Sequence, residues 1–319
     1  MKNSSPLSEH AVGLSPGTAA LSWKSRLLNR LLPLLPYKGR WASAAAVQAR
    51  VHKLASKPPA REPVGLGPHV KAVLRHENGW PLYVTSPAAA PLPKTHVIFL
   101  HGGGYIEEIV AAHWRFVGRL TREAPTTCLV PIFPLAPHRT ARDMVPAMGE
   151  LVGRILDDVG PGQLTLIGNS SGAGLALASA QWLRNQGRPQ PKALVLISPW
   201  LDASIRLEEQ QEIAPRDPMQ NIPGLIEAGR LYAGSLDVSH PFVSPLNGDL
   251  QGLAPVTILT GTLDVLHPDS VRLARKAMQA GVQVDLHSTP GLPHNYALFP
   301  TPEGDEARGI IAQVIRGRA

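Results

Sequence analysis

The stretch LTLIGNSSGAGLALASA (164–180) decides the fold. A short apolar run with strand character leads into Gly168, and a helix-type run of small and apolar residues leaves Gly172. Between them lies a G-x-S-x-G pattern centred on Ser170. Set between a strand and a helix, that pattern meets the requirement of a nucleophile elbow. Serine there must occupy a strained turn that lifts its Oγ above the sheet edge. Gly168 and Gly172 let the neighbouring backbones pass without a Cβ clash, and Ala173, Gly174 and Ala176 let the helix lie close to the sheet. The segment has neither the spacing of a dinucleotide-binding glycine loop nor the lysine of a phosphate-binding one.

The same alternation continues on both sides. Strands are expected at 95–100, 126–132, 193–197, 255–260 and 282–287, and helices at 42–57, 112–123, 141–157, 172–185 and 269–280. Residues 69–75 and 81–85 flank HENGW and read as a hairpin turning at AsnGly. Continuous apolar strands separated by helices imply a mostly parallel sheet covered on both faces, an α/β class. Residues 200–243 break the rhythm with polar, proline-punctuated sequence and one helix at 222–232. They read as an insertion over the C-terminal edge of the sheet, where α/β proteins place ligands. Residues 58–68, PPAREPVGLGP, form a connector, so a segment 1–68 precedes a catalytic domain over 69–319.

HGGGY (101–105) follows the strand ending at Leu100. Its glycines, Gly102, Gly103 and Gly104 after His101, expose backbone N–H groups that can meet the oxyanion formed when a hydroxyl attacks an ester carbonyl. Ser170 needs a base and an orienting acid, and in this class of fold they follow it in the order acid, then histidine. GTLDVLHPD offers Asp264 and Asp269 after the strand 255–260. Asp264 lies nearer the strand and is preferred, with Asp269 read as a cap of the next helix. GLPHN offers His294 in a loop past the last strand. His287, inside that strand, and His267 compete with it less well.

The 319 residues are 44% hydrophobic and 17% charged, enough for a large core without disulfides. The single cysteine, Cys128, excludes a disulfide framework within the chain and a CxxC-type zinc site, and its apolar flanks mark a buried structural thiol. The net charge of +7 is scattered, so nucleic acid is not an expected partner. No run is long enough to span a bilayer. The polar opening MKNSSPLSEH has no signal-peptide run, which points to a cytoplasmic location. Residues 21–35 form a cationic amphipathic stretch whose leucines, Leu27, Leu28, Leu31 and Leu32, are expected to pack internally. Peripheral membrane contact through it is left open. So is a homodimer.

Together HGGGY, GNSSGAG, GTLDVL and GLPHN, with PLAP (134–137), SPWLD (198–202) and SPL (244–246), resemble the hormone-sensitive-lipase family of α/β-hydrolases, bacterial esterase family IV. The resemblance covers about residues 70–319. It implies the α/β-hydrolase fold with a helical cap built from the N-terminal segment and the 200–243 insertion. It implies Ser170 as nucleophile, His294 as base and Asp264 as orienting acid, with oxyanion donors on Gly103, Gly104 and Ser171. The family's elbow is usually GDSAG, so Asn169 and Ser171 depart from it, and His138 and Arg139 stand where a Glu–His pair is common. Glu107 and Glu108 are either solvated or in touch with substrate. The expected activity is hydrolysis of small to medium acyl esters through an acyl-enzyme, with no metal or organic cofactor. A lactonase, amidase or deacetylase would use the same groups. A non-catalytic receptor on this fold is disfavoured by the retained His294.

Overall fold

Asn78 and Gly79 both take positive φ, 52° and 74°, and so close a two-residue turn between β1 (Val70–Glu77) and β2 (Trp80–Pro87). Paired positive-φ residues match the twist of the flanking strands, which is why AsnGly marked this hairpin in advance. The computed structural model that supplies these coordinates describes residues 20–56, 62–89 and 91–317. The polar opening at 1–18, Lys57 and the 58–61 part of the connector lie outside the described residues.

From the hairpin the chain continues through β3 (His96–Leu100), α4 (Ala111–Glu123), β4 (Thr127–Pro131) and α5 (Ala141–Val159). Next come β5 (Leu164–Asn169), α6 (Ser171–Asn185) and β6 (Ala193–Ile197). The insertion holds α7 (Glu208–Ile213) and α8 (Ile222–Ala233), and the chain closes with β7 (Val256–Gly261), α9 (His267–Gln279), β8 (Val284–Thr289) and α10 (Pro302–Arg316). Ahead of the hairpin lie α1 (Trp23–Leu31), α2 (Tyr37–Arg40) and α3 (Ala44–Ala55). Helices α2, α7 and α10 were not anticipated. For α10 the signals were present: Thr301 accepts from the Gly304 N–H and Pro302 opens the first turn.

The eight strands form one sheet in the order β1-β2-β4-β3-β5-β6-β7-β8, antiparallel only where β2 meets β1 and β4. Alternate residues of the parallel strands point to opposite faces. Ile98, Leu100, Leu166, Leu194, Leu196 and Ile258 share one core with α5, α6 and α9. Val97, Phe99, Ile167, Val195, Ile197 and Leu259 share the other with α4 and α10. Both faces are covered, so these strands carry no polar alternation. Cys128 is buried at the second core, and burial pushes its thiol up to about 11, the behaviour of an unreactive structural thiol.

The elbow glycines are steric requirements. A Cβ on Gly172 would stand 2.1 Å from the Leu100 carbonyl oxygen and 2.6 Å from that of His101. Both are backbone atoms of the central sheet or its exit, so α6 would have to lift off β3. Gly172→Ala is therefore expected to cost roughly 3 kcal/mol or more of stability, the upper end of overpacking penalties. Gly309 in α10 has nothing within 4 Å of its missing Cβ. There alanine should be neutral or stabilising by up to about 1 kcal/mol, by its helix propensity. Urea unfolding midpoints of the two variants compare these outcomes directly.

Candidate active site

Strands β3, β5, β6, β7 and β8 run parallel, so the loops leaving their C-terminal ends gather at one edge of the sheet. Those loops carry HGGGY, Ser170, SPWLD, Asp264 and His294. Residues far apart in sequence thus meet because the strands are parallel.

Ser170 sits between β5 and α6 with φ 53° and ψ −123°, a backbone that costs a non-glycine residue about 1–3 kcal/mol. The surrounding backbone holds it there. Its N–H donates to the Ile197 carbonyl at 2.8 Å, and its own carbonyl accepts from Ala173 at 3.0 Å and Trp200 at 3.1 Å. Its Oγ lies 3.0 Å from His294 Nε2, and His294 Nδ1 lies 2.8 Å from Asp264 Oδ2. A carboxylate can only accept, so Nδ1 carries the proton and Nε2 of the neutral ring is free to accept from the serine hydroxyl. The Asn295 N–H, one residue on, donates to Ser198 Oγ at 2.9 Å and pins the histidine loop to the loop after β6.

His287 pairs instead with Asp285 at 2.7 Å. His267 opens α9, with Thr260 Oγ1 3.4 Å from its Nδ1. Asp269 departs from its expected place: it is the third residue of α9 rather than its cap. Its buried carboxylate accepts from Arg272 at 2.7 Å and Gln210 at 2.9 Å, so those partners draw it away from the helix N-terminus and from His294. Asp264 does the terminal work, accepting the Leu266 N–H on Oδ1 at 2.9 Å.

Gly103, Gly104 and Tyr105 all take positive φ, which curls the HGGGY loop back over the elbow. Burial lowers the His101 pKa to about 4, so its ring is neutral and Nδ1 donates to the Gly102 carbonyl at 2.8 Å. Its face stacks on Phe133 with ring centroids 4.5 Å apart. The Gly102 N–H donates to Asn169 Oδ1 at 2.9 Å, and the Tyr105 N–H to Ser171 Oγ at 3.2 Å. The two elbow residues that depart from GDSAG are therefore the ones that tether the glycine loop. Among the described residues, the N–H groups of Gly103, Gly104 and Ser171 have no hydrogen-bond partner. Three backbone donors without partners beside a hydroxyl are the material of an oxyanion hole.

The helices outside the sheet close on this edge. A Cβ on Gly104 would stand 2.5 Å from the Trp41 ring, and one on Gly224 in α8 2.4 Å from the Trp41 backbone. Glu107 is not solvated: its carboxylate pairs with Arg50 at 2.8 Å and Arg40 at 3.7 Å, tying α3 to the glycine loop. Between α3 and that loop lies a cavity of about 480 Å³ lined by Val51, Leu54, Ile106, Ile109, Leu135 and His138.

Sequence reasoning missed Asp217. This buried residue of the insertion accepts from the Met219 and Gln220 N–H groups on one oxygen and from the Val265 N–H at 2.9 Å on the other. Burial, together with the nearby Asp264 charge, pushes its carboxyl up to about 6. Lys38 donates to its backbone carbonyl at 2.8 Å, so α2, the insertion and the Asp264 loop meet at this residue. No local motif announces it, since the relevant contact is 48 residues away in sequence.

Residues 97–298 match the family described as alpha/beta hydrolase fold. The chain belongs to that family. Within it, the protein stands with the hormone-sensitive-lipase-like esterases of family IV. It is similar to an acetyl-hydrolase of Streptomyces hygroscopicus, 33% identical over 69% of this chain and 75% of that one. It is 33% identical to a triacylglycerol lipase of Mycobacterium tuberculosis over 66% of this chain, which spans only 43% of the length of that relative. A solved esterase from the bacterial hormone-sensitive lipase family is 27% identical, with TM-score 0.80, covering 94% of this chain and 99% of the other. The protein is an ester-hydrolysing enzyme. Among the described residues no helix is long and apolar enough to cross a membrane.

Proposed function

We propose that the protein is a carboxylesterase for small to medium acyl esters, with Ser170 as nucleophile, His294 as general base and acid, and Asp264 as the acid that orients it. The reading rests above all on the 3.0 Å approach of His294 Nε2 to Ser170 Oγ. His294 takes the hydroxyl proton as Oγ attacks the ester carbonyl. The negative charge that develops on the carbonyl oxygen is met by the N–H groups of Gly103, Gly104 and Ser171. His294 then protonates the departing alcohol, leaving an acyl-serine. Water, deprotonated by the same imidazole, releases the acid and restores Ser170. Helices α2 and α3 of the N-terminal segment act with the insertion as a cap. The small-acyl preference is supported by the close roof of Trp41 over Gly104 and by the name of the acetyl-hydrolase relative. Acetate, butyrate and octanoate p-nitrophenyl esters, assayed alongside fluorophosphonate labelling, test this reading. Rates should fall from butyrate to octanoate, and label should be recovered on Ser170. Unlabelled Ser170 would remove it.

The pH profile follows from the same geometry. Burial disfavours the imidazolium of His294, but the charge and hydrogen bond of Asp264, with a further push from Asp217, outweigh it and hold the pKa above the usual value. Only the neutral ring can accept the serine proton, so kcat/KM should rise as pH increases through that raised pKa. Asp217→Asn removes a negative charge near the imidazole. Its acid limb should move to lower pH, as read from kcat/KM profiles on p-nitrophenyl butyrate. A profile unmoved in position would show that Asp217 only shapes the loop.

A further inference from the structure

Helix α1 presents much of its apolar surface outward. Its inner side is held by polar contacts. Ser22 and Ser25 hydroxyls donate to Glu303 of α10 at 2.8 and 2.6 Å, and Asn29 Nδ2 donates to the Gly291 carbonyl at 2.8 Å. Leu32 is buried just past its end. The expectation that the 21–35 leucines pack internally therefore holds for Leu32 and fails for Leu27 and Leu31. With hydrogen-bonding side chains at 22, 25 and 29 facing the domain, residues 23, 27 and 31 must face away. Trp23 is 64% exposed, Leu27 and Leu31 47% each, and Leu34 78%, with Leu35 beside them. Positions 23, 27 and 31 are successive i, i+4 neighbours, so these side chains form one stripe. Such a contiguous apolar patch on a folded surface marks a contact with something else.

The charge around the stripe says what that is. Lys24, Arg26 and Arg30 are exposed between the apolar side chains. From residue 10 to residue 61 the sequence holds nine lysines and arginines and no acid. An exposed tryptophan and leucines set among cations, with no carboxylate on the same stretch, fit an anionic lipid surface. We propose that α1 and the turn after it are a docking surface for anionic membrane lipid. The apolar stripe enters the acyl boundary while Lys24, Arg26 and Arg30 meet the phosphates. Because Asn29 is bonded to Gly291, three residues before His294, the docked helix is anchored to the loop that carries the base. The proposal does not depend on the ester reading, because lipid binding and ester hydrolysis are read separately.

The test uses the full chain and sedimentation with vesicles of phosphatidylcholine alone or mixed with phosphatidylglycerol. Binding should require phosphatidylglycerol and fall at least ~10-fold when salt rises from about 0.05 to 0.5 M, since these charges are screened. The variant Trp23→Ser/Leu27→Ser/Leu31→Ser/Leu34→Ser should lose at least ~10-fold in vesicle binding. It should hydrolyse soluble p-nitrophenyl acetate at the wild-type rate, which also reports that it is folded. Equal binding to neutral vesicles, no binding by the full chain, or binding unchanged in the variant would overturn the proposal. So would a dimer in analytical ultracentrifugation that the four serines dissolve, because a second copy would then be the occupant.

Discussion

Ser170→Ala is expected to lower kcat on p-nitrophenyl butyrate by roughly 10⁴- to 10⁶-fold, the range set by removal of a serine nucleophile. The loss should be almost entirely in kcat, because the hydroxyl forms its bond to substrate only as the reaction proceeds. Folding should change little. The elbow is held by backbone bonds from Ile197, Ala173 and Trp200, none of which uses the side chain. Thermal unfolding should therefore shift by no more than about 1 kcal/mol equivalent. Ser170→Ala combined with His294→Ala should be hardly worse than either alone, because groups that act as one unit are not additive. Wild-type turnover by Ser170→Ala would place the chemistry on another residue.

The second large effect distinguishes the two carboxylates after β7. Asp264→Asn should lower kcat by roughly 10⁴-fold, since an amide can present its NH₂ to Nδ1 and so favour the tautomer that cannot accept the serine proton. Asp269→Asn should act on stability instead. That carboxylate holds Arg272 and Gln210 between α9 and α7, and burial pushes it up to about 6 despite Arg272. Its neutral amide should leave kcat within about tenfold of wild type while lowering the urea midpoint. A 10⁴-fold loss from Asp269→Asn in a folded protein would reverse the assignment. Steady-state kinetics with a circular-dichroism check on each variant gives the answer.

Much of this was legible because it is local. The strand-to-helix passage through Ser170, the three glycines after Leu100 and the AsnGly turn are each written in fewer than ten consecutive residues. Each follows from steric rules that act over that distance. Both faces of the central parallel strands β3, β5, β6 and β7 are buried, so apolar runs marked them without alternation. Asp264 was reachable because it stands just past a strand end. The place of Asp269 was misread because a ProAsp pair ahead of a helix resembles a cap. Its side chain is claimed by Gln210, 59 residues earlier, and no local rule contains that contact.

The chain of local signals also determined the order of the groups: serine after β5, carboxylate after β7, histidine after β8. Parallel strands then bring those loop ends to one edge. The tertiary structure decided what depends on separate segments meeting. Asp217 reaches Val265, Asn169 takes up the Gly102 N–H, and Glu107 binds Arg50. It also decided which side of α1 faces the domain. An amphipathic pattern reports that a helix has two faces, and its partners choose which one turns inward. Here Glu303 and Gly291 bind the serine and asparagine side. The tryptophan and leucines were left outside by hydrogen bonds made across more than 260 residues of chain.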